Sequence, residues 1–557
     1  MQRRSFLKAG GAIAVAAGLG SESLLGHVPT HNFDKYDFGA GPPVSDRLYQ
    51  GPFSADDYPS WNVVMALTPS EEIVPNYGMG LITYVCDEVG PAKKDGEPLA
   101  QSIENLAKLP LGTKLYIRVN WKDVQQRPGK LDLCEHWKLT FDLARKYQKR
   151  VGFRVMVSNP DIPDLALPDF VRQKVPMVKL GEWEGRMRYE PRYDDPAFQS
   201  AFRELVDLLA DAYDGHPDVE YVDTFMYGFW GEGHTWPLES NPFPDSVTAE
   251  KTFVSMFQHQ AERWRKTPLA TNTQPDFSKV GNSELLERTV RSFNWLRTDT
   301  IFIENEQIEE LSNRPPWTGV TVEVGMSDGL PQNLRMDEGV TYTDNVIHHV
   351  QDVGACYFSL WNWHHIQADR ILNYYHQFPG AIDGLARKIG YRVRPSWVWS
   401  YEEAGYPGLI IGFANDGIAC VPGVLRVSVS SEDGKVNVEG SLDAGYPLPG
   451  KVRQAKFPLP KGTNWKGLRL RAEIEVKGQR YPVRWACRQG LNRDGSLTLR
   501  STVGLGQNDE TDGVPTTGSC RRSPRVQLSG LSPSGRKTAV CRTGRVYRGL
   551  PRRPALG

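Results

Sequence analysis

The chain has 557 residues, more than one compact core usually organises, so a large domain with at least one smaller companion is expected. Lys plus Arg and Asp plus Glu both number 66, a formal net charge of +0, which argues against nucleic acid or an anionic membrane as partner. With 15 Trp and 22 Tyr there are rings enough to fill cores and still face a neutral partner.

At the N-terminus, Arg3-Arg4-Ser5-Phe6-Leu7-Lys8 precede a Gly/Ala-rich apolar run from Ala9 to Leu19. That is the order of a twin-arginine export signal, so residues 1–27 are read as a signal peptide recognised by the twin-arginine translocon. The mature protein is expected in the periplasm or outside the cell. No later stretch approaches about 18 uninterrupted apolar residues, so the mature form is not expected to engage a membrane. The seven cysteines contain no C-x-x-C pair, and their odd number argues against a fully paired disulfide framework. Mostly buried free thiols are expected, as suits a protein that folds before export.

Residues 28–77 are rich in Pro, Gly and Asp, without periodicity, and read as an irregular lead-in wrapped on the next domain. From 78 to 390, short β-rich runs alternate with amphipathic helical stretches. Strands are expected at 78–86, 114–120, 152–158, 220–227, 269–272, 299–303, 319–324 and 355–361. Helices are expected at 131–150, 198–213 and 248–265, among others. Eight such units predict an α/β fold, a (β/α)8 TIM barrel, and no G-x-G-x-x-G follows the first strand to favour a dinucleotide fold. A long insertion between Pro160 and Asp195 should wall one end of the barrel mouth, a hint of exo action. Residues 391–502 alternate at short spacing between turns such as Asn415-Asp416-Gly417, which predicts an antiparallel β-sandwich. Its role is read as packing on the barrel. Residues 503–557 are Ser/Gly/Pro/Thr-rich and carry arginine pairs, and they read as a disordered tail.

The strongest chemical signal is Tyr227-Gly228-Phe229-Trp230-Gly231-Glu232-Gly233-His234, at the C-terminal end of the fourth strand. Barrel enzymes place catalysis there. Glu232 in an aromatic, glycine-flanked setting should be desolvated, with a raised pKa suited to protonating a leaving group. The alternative is a helix-capping carboxylate. A glycosidic bond needs a second carboxylate from another strand. Glu323 fits, alone in the β-branched run Val320-Thr321-Val322-Glu323-Val324, where burial of a charge is costly unless it is paired or functional. A salt bridge to Arg118 or Arg154 is the alternative reading. Glu304 and Glu306 compete less well, because the glutamates after them make that run read as a solvated helix start.

Expected substrate-binding residues are Arg118, Asn120 and Trp121 after the second strand, Tyr227, Trp230 and His234 around Glu232, and Asn272 after the fifth. Trp361, Asn362, Trp363 and His364 follow the eighth, with Trp361 as the stacking platform for a sugar ring. Neither His348-His349 nor His364-His365 forms a H-E-x-x-H ligand set, so no metal is expected. No Walker motif or strand-to-helix G-x-S-x-G appears, so no cofactor is expected either.

Glutamates ending the fourth and seventh strands resemble those of the clan A glycoside hydrolases, the retaining (β/α)8 enzymes. The Gly-Phe-Trp-Gly-Glu segment, the lead-in Pro75-Asn76-Tyr77-Gly78-Met79-Gly80 and the later Gly412-Phe413-Ala414-Asn415-Asp416-Gly417 are similar to uncharacterised bacterial barrel proteins grouped with glycoside hydrolases. The resemblance covers roughly residues 70 to 490. It implies Glu232 as acid/base and Glu323 as nucleophile on an oligo- or polysaccharide. Clan members carry Asn before the acid/base glutamate, whereas this chain has Gly231, so Asn120 or His234 would have to contact the sugar 2-hydroxyl. That departure leaves room for a non-catalytic carbohydrate-binding protein on a degenerate barrel. A metal-dependent hydrolase of the same barrel type is the remaining alternative.

Overall fold

A computed structural model describes residues 37–273, 283–298, 311–323, 339, 341–360 and 367–501. Within them, eight parallel strands close into a barrel: Gly80–Tyr84, Lys114–Asn120, Arg150–Met156, Val219–Asp223, Leu269–Asn272, Trp295–Thr298, Val320–Val322 and Tyr357–Ser359, with the first strand hydrogen-bonded to the last. Strands of this kind are covered on both faces and read as near-continuous apolar runs, and every residue of Lys114–Asn120 is buried. The sixth strand lies N-terminal to the expected one. Trp295 and Leu296 drive its burial, and residues 299–303 lie outside the described ones.

The barrel interior is filled with tyrosines rather than left open. Tyr116 and Tyr221 stack with centroids 6.2 Å apart, and Gly152 between them makes the room. A Cβ at Gly152 would lie 2.8 Å from the Tyr221 ring. Below them Glu220, wholly buried, closes the N-terminal end of the barrel. It accepts from the Tyr357 hydroxyl (2.6 Å) and the Gly78 amide (2.9 Å) and pairs with Lys114 (3.1 Å). Charges paired at this end of a barrel serve stability rather than chemistry, which belongs to the opposite, C-terminal face.

Helices pack outside through stripes of apolar residues. Asp195 caps Pro196–Tyr213, accepting from the Ala197 amide at 2.8 Å, with Pro196 at the first helical position. Phe198, Phe202, Leu205, Val206 and Leu209 of that helix are fully buried. No helix among the described residues is long and apolar enough to cross a membrane.

The lead-in departs from its expected course. Tyr49–Gln50 and Asn62–Ala66 are strands that pair antiparallel with Val452–Pro458 and Val393–Glu403, completing a five-stranded sheet of the C-terminal sandwich. The opposite sheet is built on Val424–Ser430 and Arg469–Val476. Both edge strands are short and irregular in hydropathy, so periodicity alone does not reveal them. The insertion after the third barrel strand carries an antiparallel hairpin, Met177–Trp183 with Arg186–Pro191. Cys86, Cys134, Cys356, Cys420 and Cys487 are all free thiols, and three of them are buried. The signal peptide and the Arg-rich tail lie outside the described residues.

Candidate active site

Glu232 lies at the C-terminal side of the fourth barrel strand, in a turn that the glycines make possible. Gly228 opens it at φ 80°, where a Cβ would come 2.1 Å from the His234 carbonyl oxygen. The Phe229 amide donates to that same oxygen at 2.7 Å and the Gly233 amide to the Tyr227 carbonyl at 2.9 Å, so the turn closes on itself. Trp230, at φ 55°, is a non-glycine residue in left-handed geometry, and its indole donates to Asp161 at 2.7 Å. The Asn272 side-chain amide donates to the Glu232 carbonyl oxygen at 3.0 Å, which fixes the backbone beneath the carboxylate.

The Glu232 side chain, 1% exposed, points into a cluster of arginines. Arg154 Nη1 donates to its Oε1 at 2.9 Å and Arg297 Nη2 lies 3.6 Å from the same oxygen. His234 Nε2 is 3.6 Å from Oε2. Across the mouth, Glu323 ends the seventh strand, 1% exposed, in contact with Arg118 Nη2 and with the same Arg297 Nη2. Asp223 anchors the arginines from below, accepting from the Tyr116 hydroxyl, from Arg154 at 2.9 Å and from Arg297 at 3.2 Å. Glu88 pairs with Arg118 at 3.5 Å. Arg118 also lies 5.5 Å from the Tyr84 ring centroid.

This cluster reverses one expectation. Burial alone pushes the Glu232 carboxyl up, but the His234 contact and the charges of Arg154, Arg297 and Arg118 outweigh it and hold the pKa well below the usual carboxylate value. An aromatic, glycine-rich flank says nothing about cations arriving from three other strands.

The predicted residues divide. Glu232, Glu323, Arg118, His234 and Asn272 converge, as the contacts above show. Asn120 is held by Asp123 (3.0 Å) and accepts from Asn159 (3.3 Å) at the rim. Trp121 is misplaced by the sequence reading: fully buried, it packs edge-on to Phe198 and Phe202 between barrel and helix, with its indole donating to Gln125 at 2.8 Å. Tyr227 likewise packs in the core, edge-on to Phe243 and Phe253. In both cases the chain leaves the strand with the ring turned outward, toward the helical layer. Trp361, Trp363 and His364 lie outside the described residues, as do Glu304 and Glu306. Arg154 entered only as a possible salt-bridge partner, whereas Arg297 and Asp223 were missed. Their signal is the one that found Glu323, a single charge in an apolar strand: Phe153-Arg154-Val155, Val222-Asp223 and Leu296-Arg297.

Among the described residues no group of three or more His, Cys, Asp or Glu is placed to hold a metal ion. No protein-family model and no curated protein matches the sequence. Among solved structures, the chain is similar to a β-galactosidase from the psychrophilic Marinomonas ef1, at 13% identity and TM-score 0.32 over 51% of this chain and 54% of that one. It is also similar to a GH5_18 protein from Streptomyces cattleya in complex with Manβ1-4GlcNAc, at 10% identity and TM-score 0.32 over 52% and 71%. A third is the catalytic domain of a β-amylase from Paenibacillus polymyxa, at 9% identity and TM-score 0.34 over 54% and 98%. The chain thus spans about half the length of the Marinomonas protein. The barrel assignment rests on the strand pairing itself, not on likenesses of this size.

Proposed function

We propose that the protein is a glycoside hydrolase acting on an oligo- or polysaccharide through Glu232 and Glu323, exported from the cytoplasm by its twin-arginine signal. The observation that carries this reading is the single Arg297 nitrogen that touches Glu323 and lies 3.6 Å from Glu232. It brings the nearest oxygens of the two carboxylates within about 6 Å of each other, so both can reach one glycosidic bond as a two-carboxylate mechanism requires. Glu323, paired with two guanidinium groups, is the nucleophile that attacks the anomeric carbon. Glu232 assists departure of the glycosidic oxygen, then activates the water that releases the glycosyl-enzyme. Its arginine contacts favour the base form. Acting as acid requires the substrate to part it from Arg297, the longer of its two arginine contacts at 3.6 Å against 2.9 Å.

A second reading, saccharide binding without catalysis, is favoured by one observation: the arginines hold Glu232 ionised in the described arrangement. Hydrolysis of a panel of aryl glycosides and polysaccharides by the mature protein, beside Glu232→Gln and Glu323→Gln, separates the two. The glycosidase reading expects turnover reduced on the order of a hundredfold to ten-thousandfold by either change, with anomeric configuration retained. Turnover indifferent to both changes sinks the pairing. Saccharide binding without turnover, unchanged in Glu232→Gln, selects the second reading.

A further inference from the structure

Beside the Glu232 turn, the hairpin of the third-strand insertion roofs a cavity of about 330 Å³ lined by Ser158, Asn159, Arg188, Glu190 and Phe229, among others. Two of its lining residues also touch the mouth. Asn159 donates to Asn120 and to the Glu88 carbonyl (2.9 Å), and Phe229 belongs to the turn that carries Glu232. Arg188, Trp183 and Phe229 form a layered stack: the guanidinium lies 5.3 Å from the Trp183 ring centroid, and Trp183 stacks on Phe229 at 5.8 Å.

Arg188 is 8% exposed, yet among the described residues it has no carboxylate within salt-bridge reach, and its Nε has no hydrogen-bond acceptor. The buried arginines of the catalytic mouth differ: Arg118, Arg154 and Arg297 each pair with at least one carboxylate. Glu190, on the same strand face, is committed to the Ser158 and Tyr193 hydroxyls. Asp161 is held by the Trp230 indole. Burial and then the neighbouring Arg186 lower the Arg188 pKa from its ordinary value, and the charges of Glu184 and Asp161 offset only part of that, so the cation is incompletely compensated. A planar guanidinium edge of this kind is best satisfied by a carboxylate, which accepts two parallel hydrogen bonds from it.

We propose that this cavity is a substrate subsite for an acidic sugar, a uronic acid whose carboxylate pairs with Arg188 while its ring rests by Phe229 and Tyr189. The inference deepens the saccharide reading of the site and rests on it. Ser158 and Asn159 line the same space, and with their donors already committed to Glu190, Asn120 and the Glu88 carbonyl they offer ring hydroxyls their oxygens as acceptors. The preferred substrate is then a polyuronate or a uronate-decorated glycan rather than a neutral one.

The test is equilibrium binding to the Glu232→Gln protein, read by quenching of tryptophan fluorescence, since Trp183 stacks against the lining residues Arg188 and Phe229. The probes are oligogalacturonate, oligoglucuronate and oligomannuronate, each beside its methyl ester, which keeps the sugar and removes the charge, with a sulfated galactan oligosaccharide as control. At least one free acid should bind tenfold or more tightly than its ester. Arg188→Met should bring that ratio near one and Arg188→Lys should keep part of it, while added salt weakens the free acid alone. Binding of no uronate, equal binding of acid and ester, or binding of the sulfated probe alone overturns the proposal. Should Arg188→Met fail to fold, the ester comparison and the lysine variant still decide it. Hydrolysis of the same panel by the unaltered protein is scored separately. Acid-selective binding without hydrolysis keeps the subsite and sinks the glycosidase, whereas hydrolysis of neutral glycans without acid preference does the reverse.

Discussion

Glu190 offers a measurable consequence of burying a carboxylate without a cation. It is fully buried on the inner face of Arg186–Pro191 and accepts from the Ser158 and Tyr193 hydroxyls, and among the described residues no cation pairs with it. Desolvation outweighs those two hydroxyl bonds and lifts its pKa from 4.5 to about 7. The folded state therefore keeps a proton that the unfolded state gives up at lower pH. The stabilisation is complete below about pH 4.5, falls as pH rises toward 7 and is level above that. At about 1.4 kcal/mol per unit, the gap is worth about 3 kcal/mol. Glu190→Gln keeps the shape and removes the titration. Urea unfolding of both proteins at pH 5 and pH 8 should show the variant gaining about 2.5 kcal/mol on the wild type as pH rises, most of that gap. The difference between proteins is essential, because His136 works in the opposite direction over an overlapping range. Buried, with Nε2 2.9 Å from the Val85 carbonyl oxygen, it has a pKa lowered from 6.5 to about 4 by burial, so its contribution is lost as pH falls. Parallel pH profiles for wild type and Glu190→Gln would refute the reasoning, and would mean that a cation or water relieves the carboxylate.

Replacing His136 by Gln should correspondingly remove about 3 kcal/mol of acid sensitivity between pH 6.5 and 4, measured by the same unfolding series against wild type. Arg297→Met strips one cation from Asp223, Glu232 and Glu323 together; unfolding should show a loss of about 3–5 kcal/mol, and the Glu232 carboxyl should titrate higher by carbon-detected NMR. Gly228→Ala forces a side chain against the His234 carbonyl oxygen at positive φ, and a cost of about 1–3 kcal/mol is expected in thermal unfolding, with loss of saccharide turnover exceeding any loss of fold. Tyr193→Phe removes the hydroxyl that accepts from the Gly228 amide at 2.9 Å, and amide exchange at residues 228 to 234 should quicken while the rest of the barrel is unchanged.

Much of this was legible in local sequence, and what was not has a common cause. The alternation of β-rich runs with helical stripes predicts the barrel, because strand burial and helix amphipathicity are properties of ten or so neighbouring residues. The sixth strand slipped because Trp295-Leu296-Arg297-Thr298 is short and contains a charge, so the apolar run after it reads as the better strand. Tyr49–Gln50 and Asn62–Ala66 were unreadable for a related reason: an edge strand is defined by its partner, and theirs lies more than three hundred residues downstream. Trp121 and Tyr227 were placed at the right strand ends and on the wrong side, since direction at a strand end follows the turn and not the residue type.

The sequence by itself determined that a closed parallel barrel would carry Glu232 in a glycine-bounded turn and Glu323 at a strand end, because glycine spacing and the cost of a charge in an apolar run are local facts. Only the tertiary structure decided what charge state Glu232 holds. Arg118, Arg154 and Arg297 come from the second, third and sixth strands, and Coulomb interactions depend on distances that only barrel closure sets. The sign of the Glu232 shift, raised by burial and lowered further by the His234 contact and those cations, is therefore a property of the closed barrel.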